Sequence, residues 1–281
     1  MILLVGSDED NVIKYFSKFL EYRNKQYVFL NQKLLLRTIH LYDEYLVINK
    51  NKIFYKDFSG VLNRTSSSVT HDSKYISSTS FLLDLLDYKF PNILNKPINN
   101  ISNDSKLYQL SQLSLKYIKY PESTVIAHNK IKLSRNNNIV KSLSSIRSIA
   151  TRFEGNENLF LKKASEPTLF QRIIDGNNIR VHVIVDRYYP VKIISESLDY
   201  RYASDKMPIF KSYILPEEIG KECMLISEQL KLKFCGIDLI QNQNEYFILE
   251  ANPSPAWSYF EENIDHQEMS KQLIRVLSNE Q

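Results

Sequence analysis

Apolar residues run unbroken through ILLVGS (2–7), which reads as a buried strand, and recur at helical spacing through DEDNVIKYFSKFLEYRNK (8–25). QYVFLN (26–31) is a second strand. This strand–helix–strand start predicts a small α/β lobe with a parallel sheet. It carries no dinucleotide glycine fingerprint, because Gly6 stands alone. SGVLNRTSS (59–67) reads as a later strand of the lobe, ending in Arg64 and a polar loop. Ligands favour the carboxyl ends of parallel strands, so a cleft is expected there. FPNILNKPINNISND (90–104), rich in Pro and Asn, reads as a linker. A helix over SKLYQLSQLSLKYI (105–118) follows, until Pro121 breaks the pattern. Short strands are expected at KIKLS, NNIVKS, SIRSIAT and NLFLKK, then two strands across 167–197 parted by a turn at Asp175-Gly176. Helices near 216–232 and 263–278 flank the last strand pair.

That pair, FCGIDLIQNQNEYFILEANPSPAW (234–257), raises a chemical question, since Asp238, Glu250 and Asn252 sit inside apolar strands. Alternation puts Tyr246, Ile248, Glu250 and Asn252 on one side, with Glu250 and Asn252 about 7 Å apart. Pro253 ends the ladder. A buried carboxylate without a partner costs several kcal/mol, roughly, so a cation should face it. Asp238 joins Glu250 only if a turn centred on Gln243 has an odd number of residues or a bulge intervenes. Two carboxylates and a carboxamide, completed by phosphate and water oxygens, suit hard Mg²⁺. A solvated or salt-bridged acid pair on an edge strand is the competing reading.

Composition narrows the remaining classes. The chain has 281 residues, 43% hydrophobic and 24% charged, enough for one large domain or two to three lobes. A net charge of +4 with no basic stripe argues against nucleic acid as partner. Two cysteines, Cys223 and Cys235, make no disulfide framework, and five scattered histidines include no HxxxH pair. The first residues do not read as a signal peptide, and no run of ~18 apolar residues suggests a membrane partner. A soluble, cytoplasmic protein is the expectation.

The segment CGIDLIQNQNEYFILEANPSPAW resembles the metal-binding end of the ATP-grasp superfamily, in which Asp, Glu and Asn hold Mg²⁺ on two antiparallel strands. Further segments resemble the family's parts in the family's order: SKLYQL a helix entering the central lobe, YPESTVIA a P-x-T strand, NNIVKS a strand bearing a nucleotide-contacting lysine. LFQRIIDGNNIRVHVIVD is similar to the segment that passes the adenine and then presents an arginine. SESLDYRY and VLNRTS resemble elements of the RimK-type ligases and, more closely, of the graspetide (microviridin-type) peptide-cyclising ligases. The central lobe departs from the family pattern, with KSLSSIRS where a glycine-containing loop is usual.

The resemblance implies an α/β ATP-grasp fold. Its lobes would be a parallel α/β lobe (1–95), a central lid lobe (96–168) and a C-terminal antiparallel-sheet lobe with the metal site (169–281). It implies ATP and Mg²⁺ as cofactors, with Asp238, Glu250 and Asn252 on the metal. Lys141, and secondarily Lys106, would meet phosphates, while Gln171, Arg172, Ile173, Ile174 and Asp175 form the adenine hinge. Arg180, Asp199 and Arg201 would act on phosphate and substrate carboxylate. For each there is a plainer reading: exposed lysines on a strand and a helix, and an arginine in a structural ion pair. His182 reads as a packed histidine, and Trp257 and Tyr259 fit either a cleft wall or a core. The implied activity is an ADP-forming carboxylate ligase cross-linking a ribosomally made precursor peptide. An amino-acid-adding ligase of RimK type, or a nucleotide-binding module without catalysis, stays open, as does a homodimer.

Overall fold

The computed structural model describes residues 1–35, 37–65, 73–103, 105–126, 137–142, 151–153, 168–195, 207–264 and 266–280. The chain divides into two compact units. One comprises Met1–Asn100, Leu232–Phe234 and Ser254–Gln281, the other Ile101–Lys231 and Cys235–Pro253.

In the first unit, β1 (Ile2–Gly6), β2 (Tyr27–Asn31), β3 (Ile39–Leu41), β4 (Tyr45–Ile48), β5 (Asn51–Phe54), β6 (Gly60–Asn63) and β7 (Ile93–Leu94) form two sheets. A parallel sheet runs in the order β2-β1-β6-β7. Ile2, Leu3, Leu4 and Val5 are all buried, as a parallel strand covered on both faces requires. The helix Asn11–Tyr22 starts where the Asp10 carboxylate accepts the Val12 N–H at 2.8 Å. It buries Val12, Ile13, Phe16, Phe19 and Leu20 along one stripe.

The expected linker is corrected at its start: Ile93 and Leu94 are the fourth strand of the parallel sheet. Asn95 follows them and takes a strand-like place itself, accepting the Phe234 N–H at 3.0 Å while its own carbonyl accepts from Asn63. The antiparallel meander β3-β4-β5 was not legible, since its strands are three or four residues long. Its inner residues Ile39, Leu46 and Ile53 pack into the core with Leu3, Leu30 and Phe90. Two helices, Trp257–Glu261 and Glu268–Leu277, complete the unit. Trp257 is a core residue, fully buried and edge-on to Phe16 and Phe234.

The second unit holds β8 (Ile118–Lys119), β9 (Ser123–Ile126), β10 (Asn138–Ser142), β11 (Thr151–Arg152) and β12 (Thr168–Arg172). It continues with β13 (Asn177–Ile184), β14 (Arg187–Ile194), β15 (Ile209–Ser212), β16 (Phe234–Asn242) and β17 (Glu245–Asn252). One sheet has the order β11-β10-β12-β9 and the other β15-β14-β13-β16-β17-β8. The Asp175-Gly176 turn is therefore corrected: it carries the chain from β12 in one sheet to β13 in the other. A Cβ at Gly176 would stand 2.2 Å from the Gln241 carbonyl oxygen, so only glycine fits this crossing. The hairpin turn lies ten residues later, at Val185-Asp186, between the paired Ile184 and Arg187.

The helix expected over 105–118 is shorter, Lys106–Ser111, and Ile118 already belongs to β8. The reason is a carboxylate: buried Glu222 accepts the backbone N–H groups of Lys116, Tyr117 and Ile118, which a continuing helix would have turned inward. Glu222 lies on the helix Glu217–Gln229, which covers the face of the six-stranded sheet built from Val181, Val183 and Tyr188. Gly220 sets that helix directly against the Tyr188 ring. Among the described residues no helix is long and apolar enough to cross a membrane.

Candidate active site

The uncovered face of the six-stranded sheet is where the acidic residues gather. Asn242 pairs with Glu245 around a two-residue turn at Gln243-Asn244. Uninterrupted, that register would put Asp238 opposite Leu249 and on the far side from Glu250. A β-bulge between Asp238 and Leu239 changes this, so Leu239 pairs with Ile248 but Asp238 pairs with Glu250 and Gly236 with Asn252. Directly opposed residues share a face. Asp238, Glu250 and Asn252 are thus on one side. Simple alternation is corrected at the same point: Ile248 and Tyr246, buried at 0% and 3%, lie on the other side from Glu250.

Two buried cations meet these carboxylates. Arg180, on the neighbouring β13, puts Nη1 3.0 Å from Asp238 Oδ1 and donates from the same nitrogen to the Gly236 carbonyl at 2.9 Å. Lys106, in the first turn of its helix, has Nζ 3.1 Å from Glu250 Oε2. The cationic side chains are 5–6% exposed and the carboxylates 15–17%. Both charges of each pair are largely withdrawn from water, so deleting one partner would strand the other. Lys106, the weaker of the two lysine candidates in the sequence, is placed against the acidic cluster. Arg180 does form an ion pair, as its plainer reading held, but with a proposed metal ligand.

The helix bearing Lys106 is tied to β17 through Gln109, which sequence reasoning passed over. Its carboxamide donates to the Ala251 carbonyl and accepts the Ala251 N–H, both at 2.7 Å. The available signal was spacing, since residues three apart share a helix face and Lys106 and Gln109 are such a pair.

In the four-stranded sheet, Lys141 pairs with Leu169, Ile139 with Gln171, and Gln171 with Ser123. Lys141 and Gln171 therefore share a face, and both are buried. Gln171 Nε2 donates to Ser123 Oγ at 3.2 Å. Arg172 is exposed on the opposite face, and its N–H binds the Glu122 carbonyl, while the Ile173 N–H binds Asn137. Ile174 is half-buried and Asp175 exposed at the crossing to β13. Asp199 and Arg201 lie outside the described residues. In the first unit Arg64 donates to Asp10 at 2.7 Å and to the Pro255 carbonyl at 2.9 Å.

His182 shares the Arg180 face and is completely buried. Burial, then the Arg180 charge, holds its imidazole well below the ordinary range. A neutral, enclosed ring fits packing better than proton transfer. Both cysteines are buried thiols, and burial pushes Cys235 up to about 12.

Among the described residues no three His, Cys, Asp or Glu side chains cluster as a metal site. Any cation here would rely on Asp238, Glu250 and the Asn252 carboxamide, with further oxygens brought by a ligand. That hard, all-oxygen set fits Mg²⁺ accompanied by phosphate, and the nearby Lys106 and Arg180 fit an anion.

Comparison with known proteins places this geometry. The ATP-grasp domain profile matches residues 103–256. A search of curated protein sequences finds no match. Among solved structures, the chain is similar over its full length to the macrocyclase MdnC of Microcystis aeruginosa bound to precursor peptide MdnA, with a TM-score of 0.76 and 18% identity, covering 100% of both chains. The ATP-grasp ligase PsnB, complexed with a variant of its minimal precursor, Mg and ADP, gives a TM-score of 0.74 at 17% identity, covering 98% of each chain. The D-alanine–D-alanine ligase of Bacillus anthracis gives 0.59 at 14% identity, over 91% of this chain and 87% of that one. With the fold and a profile spanning more than half its residues in agreement, the chain belongs to the ATP-grasp family.

Proposed function

We propose that the chain is an ATP- and Mg²⁺-dependent carboxylate ligase that works through an acyl phosphate and forms ester or amide cross-links in a ribosomally made precursor peptide. The observation that carries this reading is the bulged register that sets Asp238 against Glu250, each met by a buried cation. Full-length similarity to structures of two peptide-bound ATP-grasp enzymes supports the peptide as substrate class.

Asp238, Glu250 and Asn252 hold Mg²⁺ in this reading, and the metal's contribution is to neutralise phosphate charge. Lys106 and Lys141 meet the phosphates as point charges, and Arg180 orients a phosphoryl or carboxylate oxygen through its planar fork. Gln171 to Asp175 border the base. The Arg172 and Ile173 amides are already committed to Glu122 and Asn137, so adenine recognition falls to the next backbone groups toward Asp175. Asp199 and Arg201 clamp the peptide carboxylate. A substrate carboxylate oxygen attacks the γ-phosphorus and ADP leaves. A hydroxyl or amine then attacks the acyl carbon, loses its proton and expels phosphate.

The test is mass spectrometry of a candidate precursor peptide co-expressed with the protein, together with nucleotide analysis. Loss of one water per cross-link with ADP and phosphate as products is expected. A gain of one amino-acid mass would reassign the chain to addition chemistry, and AMP with pyrophosphate would overturn the acyl-phosphate route.

A further inference from the structure

β17 is an edge of the sheet at its functional end. Its outer neighbour β8 pairs only with Tyr246 and Phe247, so the ladder stops before Glu250 and Asn252 begin. In an antiparallel strand, successive residues send their N–H and C=O groups to alternate sides. Glu250 and Asn252 are paired with Asp238 and Gly236 on β16, so Ala251 between them faces outward. There the Gln109 carboxamide takes both groups, each at 2.7 Å, as one residue of a missing strand would do. Gln109 is 1% exposed, and water does not substitute for it.

From this we infer that Gln109 is a positioning residue that fixes the geometry of the nucleotide–metal site from behind. It acts in two directions. Through Ala251 it holds the backbone of the short segment whose flanking side chains are Glu250 and Asn252. Through its own helix it sets Lys106, one turn earlier, at its 3.1 Å contact with Glu250. The bulge beside Leu249 makes such a clamp useful, because bulged strands bend and lose ladder bonds where they need a fixed register. Gln109 touches neither metal nor nucleotide in this arrangement.

The inference rests on the site proposed above, so its test reads binding and not ligation. Affinity for Mg²⁺ with ADP is measured by calorimetry in the native chain, in Gln109→Leu and in Gln109→Glu, each beside a thermal melt. Leu removes both hydrogen bonds, and at least a tenfold weaker affinity in folded protein is expected. Glu keeps the shape and accepts from Ala251 N–H. Only when protonated does it also donate to the carbonyl, so its deficit relative to native should shrink as pH falls from 8 to 6. A role confined to stability would lower the melting temperature and leave the affinity of the folded fraction unchanged, with no pH-dependent recovery. Native affinity in Gln109→Leu overturns the inference. If that variant does not fold, native affinity at every pH in Gln109→Glu overturns it equally. A native chain that binds Mg²⁺ with ADP but modifies no peptide would sink the proposed substrate and leave this result standing.

Discussion

Arg64 in the first unit and Arg180 in the second each hold an aspartate, at 2.7 and 3.0 Å, and each also donates to a backbone carbonyl. Both pairs are mostly buried, yet their surroundings differ. Asp10 spends its second oxygen capping the Val12 N–H, so Arg64, Asp10 and Pro255 close a purely structural circuit. Asp238 instead stands opposite Glu250, whose own cation Lys106 comes from another helix, with Asn252 on the same face. One buried ion pair staples a fold. Two that converge on one sheet face concentrate charge where an external ligand can rearrange it.

The largest effect should come from breaking the second arrangement at its centre. Glu250→Gln keeps the volume but removes the charge, and peptide-dependent ADP release should fall by about a thousandfold, the scale of losing a main electrostatic contributor at a phosphoryl centre. Arg180→Met should follow at about a hundredfold, with the loss concentrated in kcat if the guanidinium serves the transition state. Steady-state kinetics on folded protein checks both. Turnover within threefold of native in either variant would return that pair to a structural role.

Arg64→Met should show the converse. Leaving Asp10 half-buried and unpaired should cost about 2–4 kcal/mol. For a chain of this size that is a drop in Tm of about 5–10 °C, read by calorimetry. Values of kcat and KM for the protein that remains folded should stay within twofold. A selective fall in kcat with unchanged Tm would move Arg64 into the catalytic machinery and erase the contrast.

This difference was only partly legible in the sequence. Strands with continuous apolar runs, β1 and β6, and the stripe of the helix Asn11–Tyr22 read correctly because one period dominates each. Gln243-Asn244 is an even turn, which by itself separates Asp238 from Glu250. Only the bulge rejoins them, and a bulge leaves no periodic signal beyond one surplus residue. The sequence admitted a bulge without locating it. Lys106 and Arg64 were ambiguous for a related reason, since a basic residue at an element's end looks the same whether its partner is a cap or a metal ligand. Asp175-Gly176 read as a hairpin turn because that dipeptide is the usual turn chemistry, whereas its glycine is required by the Gln241 carbonyl.

The smallest effect sharpens the same contrast through pH, because each unit buries one titratable group with an opposite sign. His182 in the second unit is held well below its ordinary value by burial and then by Arg180. The unfolded chain therefore takes up the proton first as pH drops through about 6.5, and stability falls below that point with a slope of at most about 1.4 kcal/mol per pH unit. Glu261 in the first unit, bonded to Tyr15 and Ser270, is raised by burial. Its folded form keeps the proton longer, so its contribution is full below the ordinary carboxylate range and declines as pH rises through it. Between pH 7.5 and 5.5, His182→Leu should flatten the loss of urea resistance, while Glu261→Gln should leave the slope over the same window within a few tenths of a kcal/mol of native. Indistinguishable slopes for native chain and His182→Leu would mean that His182 gains its proton without opening the sheet, and that the Arg180 face is more accessible than its 0% exposed histidine implies.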